Sequence, residues 1–177
     1  NNKEIKKNND IEDFTYENLK MKLENQLKIA EAMKNNFYMK KLEKKIVLII
    51  TSYNNAEWYK KNLDSVVNQS YKNWRIVYVD DCSNDNTYNL VKDYVANNNL
   101  SAKVTLLKNK TNMKQAYSRY RAFKECENYE ICCLLDGDDW LYDNKVLENI
   151  NKFYNENDVE ISWGKMISVE NKKQKFV

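Results

Sequence analysis

The 177-residue sequence contains no histidine and no proline, and it has only two glycines. The absence of histidine excludes every mechanism that needs an imidazole as acid, base or nucleophile activator. The four cysteines, Cys82, Cys126, Cys132 and Cys133, form no CxxC pair, which argues against a zinc site. Cys132 and Cys133 are neighbours in an apolar run, so we interpret the cysteines as reduced, structural side chains.

Long apolar runs are also missing from the chain. No stretch approaches the roughly 20 residues that a membrane-spanning helix requires, and the N-terminus lacks the apolar core of a signal peptide. The net charge is only +3, and the lysines are interspersed with glutamates and asparagines instead of lining one stripe. We therefore expect no transmembrane segment, no nucleic-acid partner and a cytoplasmic location.

Residues 1–44 are predicted to form a polar tail followed by one long amphipathic helix. Apolar residues recur at helical spacing between 16 and 42, and neither glycine nor proline interrupts them. Two interpretations of this helix stay open: it packs on another domain, or it mediates self-association as a coiled-coil arm. The coiled-coil seam is short and contains Gln26, which favours packing.

From residue 45 onward, apolar runs alternate with amphipathic segments, and this order is typical of an α/β domain. The predicted strands are continuous apolar runs bounded by helices, which indicates a mostly parallel sheet covered on both faces. We expect one such domain at 45–177. Strands are predicted at 45–51, 74–80, 102–107, 130–135 and 158–164, and helices at 56–69, 86–98, 112–127 and 144–155.

Polar residues follow three of the predicted strands at the points where the strands end. The three turns are "TSYN" (51–54), "DD" (80–81) and "DGDD" (136–139). Because the carboxyl ends of parallel strands lie at one edge of a sheet, these turns are expected to share one rim. Open parallel sheets bind their ligands at that rim. The rim is therefore the predicted functional site.

The acidic turn Asp136-Gly137-Asp138-Asp139 places three carboxylates in four positions. Unpaired like charges raise one another's pKa and lower stability, so a cation is expected to neutralise them. Mg²⁺ or Mn²⁺ is commonly held by one or two carboxylates together with substrate phosphates. Gly137 is expected to let the backbone turn tightly. A solvated acidic turn that caps the following helix is the alternative interpretation.

Other acidic or phosphate-binding motifs fit the sequence less well. An EF-hand loop starting at Asp136 fails where it would need a ligand, a glycine and a glutamate, at Trp140, Leu141 and Leu147. Neither a P-loop nor a dinucleotide-binding GxGxxG occurs. A receiver-like phosphoacceptor would explain the "DD" at 80–81 and give the other two turns no joint role.

The same segments, in this order and spacing, resemble a family 2 glycosyltransferase of the GT-A fold. "VLIITSYNNAEWYKKNLDSVVNQSYKNWRIVYVDDCSNDNT" (47–87) resembles the opening block of that family, and "LLDGDDWL" (134–141) resembles its DxD block. The resemblance implies a Rossmann-like sheet flanked by helices. It also implies inverting transfer of a sugar from a nucleotide-sugar donor, most often UDP-linked, to a hydroxyl of a glycan, lipid or protein acceptor.

The resemblance further implies roles for the first two turns. Thr51 and Tyr53 match the turn that contacts the donor nucleotide, where a tyrosine ring can stack on the base. Asp80 matches the acid that accepts a hydrogen bond from the uracil N3–H, and Asp81 lies beside it. All four are therefore expected to bind the nucleotide.

In the third turn, Asp138 matches a metal ligand that bridges the donor diphosphate, and Asp136 and Asp139 flank it. Mn²⁺ or Mg²⁺ is accordingly the expected cofactor, because a metal can stabilise the charge that develops on a diphosphate leaving group. Gly137 lies within the same block and is counted with the donor-binding residues.

Two positions depart from the family pattern at places where the family has glycine. Cys82 stands in the glycine place of "DDGS", and we interpret it as a tolerated replacement rather than a reactive thiol. The family block "N-x-G-x-x-x-A-R-N" appears here at 109–118, with Asn112 in the glycine place. Asparagine tolerates a left-handed backbone, so this replacement is mild.

The same block also lacks its arginine, since Tyr117 stands in that place. The missing arginine would help to hold the donor phosphates. Lys110, Lys114 or Arg119 are candidates to supply the charge, although arginine and lysine are not equivalent. Lys114 is counted here among the donor-binding residues. Solvated helix charges are the alternative interpretation of all three.

A general base is needed to remove the proton of the acceptor hydroxyl. The family normally places this base and the acceptor region well beyond the DxD block, and we identify no catalytic base in the sequence. Glu160, the last acid considered, falls in a predicted strand. We therefore expect 45–177 to be the donor-binding part of a longer enzyme. The alternative is a nucleotide-sugar-binding domain without turnover.

Overall fold

A computed structural model describes the backbone of residues 16–170 and 173–176, and the side chains of residues 20–34 and 43–168. The chain divides into two compact units between Leu42 and Glu43. Among the described residues, no helix combines the length and the apolar character that crossing a bilayer requires.

The first unit contains α1 (Tyr16–Leu42), one uninterrupted helix at the predicted position. All described side chains of this helix, at 20–34, are exposed, including the apolar Leu23, Leu27 and Met33. The helix therefore forms at the predicted position, but it is not clearly amphipathic, because its apolar residues do not gather on one face. Both interpretations of its role stay predictions.

The second unit begins with strands and helices in strict alternation. The strands β1 to β4 form a four-stranded, all-parallel sheet in the order β3-β2-β1-β4, and β5 and β6 form a separate antiparallel pair. The α/β fold with a parallel sheet is therefore confirmed. The elements are β1 (Ile46–Ser52), α2 (Tyr59–Val67), β2 (Trp74–Asp80), α3 (Thr87–Asn97), β3 (Val104–Lys108), α4 (Lys114–Phe123), β4 (Ile131–Asp136), α5 (Val146–Glu156), β5 (Ile167–Glu170) and β6 (Lys173–Phe176).

The central strand β1 is buried along its whole length because β2 and β4 flank it on both sides. Successive side chains of a strand point to opposite faces of the sheet. Ile46, Leu48 and Ile50 belong to a core with side chains of α2, α3 and α5, whereas Val47 and Ile49 pack with Ala122 of α4. Burial of each such aliphatic side chain contributes about 1.5–3 kcal/mol. Helices therefore cover both faces and leave the carboxyl edge of the sheet as the place where polar turns meet.

An ion-pair cluster joins three strands at the opposite, amino-terminal edge. Glu130, directly before β4, accepts hydrogen bonds from Arg75 Nε at 2.8 Å and Nη2 at 2.6 Å, and Lys45 Nζ lies 3.0 Å from its Oε1. The Glu130 side chain is fully buried. Hydrogen bonding to Arg75, more than any other cause, lowers the pKa of Glu130 to about 2. The cluster thus fixes β1, β2 and β4 relative to one another.

The predicted strand at 158–164 is wrong. Residues 161–166 adopt no regular structure, and β5 begins only at Ile167. The side chains of Ile161 and Trp163 are 79% and 90% exposed. The alternating apolar pattern is present, but a strand also needs a neighbour for its main-chain groups. Within the described part of the chain, no strand lies beside this segment, since β4 pairs with β1 alone.

Candidate functional site

The strand register brings the three polar turns to one rim. Thr51 at the end of β1 pairs with Asp136 at the end of β4, and Ser52 pairs with Asp80 at the end of β2. Two main-chain bonds extend this pairing into the turns: Gly137 N donates to Thr51 O at 3.0 Å, and Asp81 N donates to Ser52 O at 2.8 Å. The rim is therefore continuous from β2 through β1 to β4.

The first turn places the tyrosine ring of Tyr53 and a residue with a left-handed backbone, Asn54, at this rim. Tyr53 is 41% exposed, and its hydroxyl accepts a hydrogen bond from Asn84 Nδ2 at 3.1 Å. Asn54 has a φ of 56°, which asparagine tolerates better than most residues. Its main-chain N–H donates to Ser83 Oγ at 2.9 Å. The half-exposed ring of Tyr53 is held at its hydroxyl and keeps an open surface on which a planar base can stack.

In the second turn, Asp80 is fully buried and holds its own turn closed. Its carboxylate accepts hydrogen bonds from Ser83 N at 3.1 Å and from Ser83 Oγ at 2.5 Å. Cys82 lies between them with a φ of 60°. A left-handed backbone is the conformation that glycine adopts without strain. Cys82 thus adopts the left-handed backbone conformation that a glycine in its place would adopt.

Asp81 has a structural role that the sequence did not reveal. It accepts hydrogen bonds from Asn109 Nδ2 at 2.6 Å, Met113 N at 2.8 Å and Lys114 N at 2.7 Å. Burial would raise the pKa of Asp81, but these hydrogen bonds lower it below its usual value. A carboxylate is also favoured at a helix N-terminus, where main-chain N–H groups are unpaired. Asp81 therefore anchors the start of α4 to the end of β2.

This anchor determines the backbone of the 109–118 loop. Lys114, the first residue of α4, has a φ of 70° and is the left-handed residue of the loop, whereas Asn112 is not. The physical reason is that both Met113 N and Lys114 N turn toward Asp81. The side chain of Lys114 is exposed at the beginning of the helix, and no described residue pairs with its ammonium group.

In the third turn, Gly137 is required for space and not for a left-handed backbone. Its φ is not positive. A Cβ placed on Gly137 would lie 2.6 Å from Asn55 Nδ2, 2.7 Å from Ser52 Oγ and 2.8 Å from Ser52 Cβ. The expected tight turn is present, since Asp139 N donates to Asp136 O at 3.0 Å, but glycine is needed there because the turn lies so close to the end of β1.

The carboxylate of Asp136 is engaged by α4. Arg119 Nη2 donates to Asp136 Oδ1 at 2.8 Å, and Gln115 Nε2 donates to the same oxygen at 2.9 Å. Gln115 was missed in the sequence. The only available signal was its position four residues before Arg119, which places both side chains on one face of a helix.

Asn62 of α2 was also missed. Its Nδ2 donates to the main-chain oxygens of Asp136 at 3.0 Å and of Asp139 at 2.7 Å, so this buried side chain contacts the acidic turn from the protein interior. Nothing in its sequence position links it to a turn more than seventy residues away.

The other two carboxylates of the acidic turn leave negative charge unneutralised. Asp138 is exposed, and its carboxylate has no hydrogen-bond or ion-pair partner among the described residues. Burial, followed by the charges of Asp138 and Asp136, raises the pKa of Asp139 above its usual value.

These carboxylates fit a divalent cation of a particular kind. The described residues contain no preformed group of three or more His, Cys, Asp or Glu side chains that could hold a metal ion. Asp138 and Asp139 nevertheless offer hard oxygen ligands with excess negative charge. This donor set suits Mg²⁺ or Mn²⁺ held by one or two carboxylates and completed by substrate phosphates.

Comparisons with known proteins identify relatives of this chain. The poly(ribitol-phosphate) beta-N-acetylglucosaminyltransferase TarP of Staphylococcus aureus (strain N315) is 30% identical over 126 residues, covering 69% of this chain and 36% of TarP. The crystal structure of S. aureus TarS 1–349 in complex with UDP-GlcNAc superimposes with a TM-score of 0.57 at 28% identity, covering 63% of this chain and 31% of that one.

A mannosyltransferase from Pyrobaculum calidifontis, solved with GDP-Man and Mn²⁺, shares the fold with a TM-score of 0.57 at 23% identity, covering 62% of this chain and 32% of that one. The chain spans about a third of the length of the relatives that it matches. The model of the family described as "Glycosyl transferase family 2" matches residues 47–176, which is most of the sequence. The chain therefore belongs to glycosyl transferase family 2.

Proposed function

We propose that this chain binds the donor for a metal-dependent glycosyltransferase that moves a sugar from a UDP-linked nucleotide-sugar to an acceptor hydroxyl with inversion. The observation that carries the proposal is the rim itself, where the exposed ring of Tyr53 and the unpaired carboxylate of Asp138 follow two paired strands. Nucleotide-sugars have a planar base at one end and a diphosphate next to the sugar, and this rim offers a group for each.

Different residues of the rim are assigned to different parts of the donor. Thr51, Tyr53 and Asp80 are assigned to the nucleoside: the exposed ring of Tyr53 is the surface that would contact it, and the buried Thr51 and Asp80 hold the turns around it. Asp81 supports them by anchoring α4. Lys114 brings an unpaired positive charge to the N-terminus of that helix, where an anion is favoured. We assign it to the donor phosphates.

Asp136, Asp138 and Asp139 are assigned to the divalent cation, which would stabilise negative charge on the leaving diphosphate. Gly137 supports them by letting the acidic turn lie close against Ser52. Inversion implies direct displacement at the sugar by the acceptor hydroxyl, and the base that takes its proton is not assigned.

The test is calorimetry with UDP in the presence and absence of Mn²⁺. We expect Mn²⁺ to strengthen UDP binding to the chain, and we expect Asp138→Ala to weaken the Mn²⁺-dependent binding at least about tenfold, as loss of a metal ligand should. Asp93→Ala is the matched control, because Asp93 is an exposed carboxylate on α3 away from the rim. Absence of binding by the unmodified chain, or full binding by Asp138→Ala, would contradict the proposal.

A binding module without turnover is the second candidate. The observation that favours it is the pairing of Asp136 with Arg119, which withdraws one of the three carboxylates from the cation. Release of free sugar from UDP-GlcNAc, or transfer to an added acceptor, by the 177-residue chain would exclude it. Binding with neither reaction would support it.

A further inference from the structure

We propose that Asn62 is a positioning residue for the acidic turn, which it holds by its main-chain oxygens so that Asp138 and Asp139 face a cation in a fixed arrangement. The inference rests on the proposed function, because the cation is the one assigned to that turn. Its subject is a residue of α2 that lies outside the three turns of the rim.

The geometry of Asn62 is specific to the acids. Its side chain is fully buried, and both N–H bonds of its amide are used: one reaches Asp136 O at 3.0 Å and the other reaches Asp139 O at 2.7 Å. A main-chain bond from Asp139 N to Asp136 O, also at 3.0 Å, closes the same turn. One amide thus joins the first acid of the turn to the last.

The remaining atom of this amide, Asn62 Oδ1, lowers stability, so the stability of the core alone does not explain an asparagine at this position. Asn62 Oδ1 is buried and has no hydrogen-bond partner among the described residues. A buried acceptor without a partner lowers stability. Flipping the amide would not help, because it would place Oδ1 against two carbonyl oxygens. The neighbours Leu63 and Val66 belong to the apolar core, where a leucine of similar volume would have no polar atom to satisfy.

Two other side chains from the same segment provide a comparison. Ser65 Oγ accepts a hydrogen bond from Leu141 N at 3.0 Å, and Gln69 Nε2 donates to Asp143 O at 2.5 Å. Both contact the loop after the acidic turn and neither contacts the acids. Asn62, Ser65 and Gln69 form a row of polar side chains beside this segment. Of the three, Asn62 makes the bonds to the acids themselves.

Repulsion between carboxylates explains why the acidic turn needs such a bond. Arg119 pairs with Asp136, but Asp138 has no partner among the described residues and Asp139 lies next to it, so repulsion between these two carboxylates favours a more open backbone. Bonds from Asn62 to the two ends of the turn oppose that opening. Groups that orient metal ligands in this way typically change metal affinity by about 10–100-fold when they are removed.

The experiment measures Mn²⁺ affinity in the presence of saturating UDP, from the spin-resonance signal of free Mn²⁺. Asn62→Leu keeps the volume and removes both donors, and Asn62→Ala is a second variant in case one of them folds poorly. Ser65→Ala is the matched control, since it removes a bond to the loop after the acids and one to the main-chain oxygen of Asn62 while leaving the side-chain amide of Asn62 in place. We expect about a tenfold loss of Mn²⁺ affinity in the Asn62 variants and none in Ser65→Ala, with the metal-free affinity for UDP unchanged in all three.

A second readout needs no metal. The main-chain N–H of Asp139 donates to Asp136 O, which Asn62 holds in place. Hydrogen exchange of this N–H should therefore be faster in Asn62→Leu and unchanged in Ser65→Ala. Wild-type Mn²⁺ affinity in a folded Asn62→Leu variant would overturn the inference and leave the proposed function standing. If the unmodified chain bound no Mn²⁺ with UDP, the proposed function would be wrong, and with it the positioning role of Asn62.

Discussion

Gly137 approaches the end of β1 so closely that the type of residue there is set by space. The nearest atoms to an added Cβ belong to Ser52 and Asn55, whose side chains also bond each other at 3.1 Å. We expect Gly137→Ala to lower the free energy of unfolding by about 1–3 kcal/mol, the usual cost of overpacking a close contact. Urea denaturation followed by circular dichroism measures this difference.

The other glycine of the chain provides the control for this prediction. A Cβ on Gly164 would meet no atom within 4 Å. Gly164→Ala is therefore expected to change the free energy of unfolding by less than about 0.5 kcal/mol. Equal effects of the two substitutions would show that the contact of Gly137 with Ser52 is not the cause.

Residue types at the rim could be predicted from the sequence, whereas their partners could not. The three turns follow apolar strands, and parallel strands bring such turns together, so Thr51, Asp80 and Asp136 were placed at one edge. The anchoring of α4 by Asp81 and the pairing of Asp136 with Arg119 depend on where α4 begins and how it lies on the sheet. Such contacts join residues far apart in sequence, and no local pattern encodes them.

At the scale of elements, the Glu130 cluster makes the parallel sheet sensitive to acid. The pKa of Glu130 is about 2 in the folded chain, well below its usual 4.5, chiefly because Arg75 donates to it. A carboxyl whose pKa is depressed on folding contributes stability above its unfolded pKa. That contribution, about 3 kcal/mol, is fully present above about pH 5 and is lost as the pH falls toward about 2.

Glu130→Gln should therefore destabilise the chain by about 3 kcal/mol at pH 7, since it leaves Arg75 and Lys45 without their anion. The difference between variant and unmodified chain should shrink progressively from pH 5 to pH 3, which denaturation curves across that range would follow. Glu156→Gln is the matched control, because its pair with Lys152 is exposed and 3.9 Å apart. A pH-independent difference would contradict the assignment to Glu130.

Elements were predictable wherever one signal sufficed. β1, β2 and β4 are largely apolar runs, and neither glycine nor proline interrupts α1, so composition and spacing located these elements within a few residues. The segment at 158–164 has the alternation of a strand and is not one. Alternation specifies which side chains would share a face, but pairing requires a neighbouring strand that the segment itself cannot supply.

At the scale of the whole molecule, α1 presents apolar side chains that its own unit does not bury. Leu23, Leu27 and Met33 are exposed. Packing on another domain, which the short seam with Gln26 favours, and self-association would both remove such side chains from water. We expect the full chain and a chain that begins at Lys45 each to show the molar mass of a single chain by light scattering at the same concentration. More chains per particle for the full chain than for the shortened one would instead support self-association through α1.

The row of Asn62, Ser65 and Gln69 has a consequence for how this part of the chain can vary. These side chains contact the 136–147 segment through main-chain atoms: the oxygens of Asp136, Asp139 and Asp143 and the N–H groups of Leu141 and Leu147. Every amino acid except proline carries both of these main-chain groups. The segment after the acidic turn can therefore exchange exposed side chains such as Tyr142 without losing its attachment, and it is a suitable place to diversify the surface beside the proposed donor site while the acids stay in register.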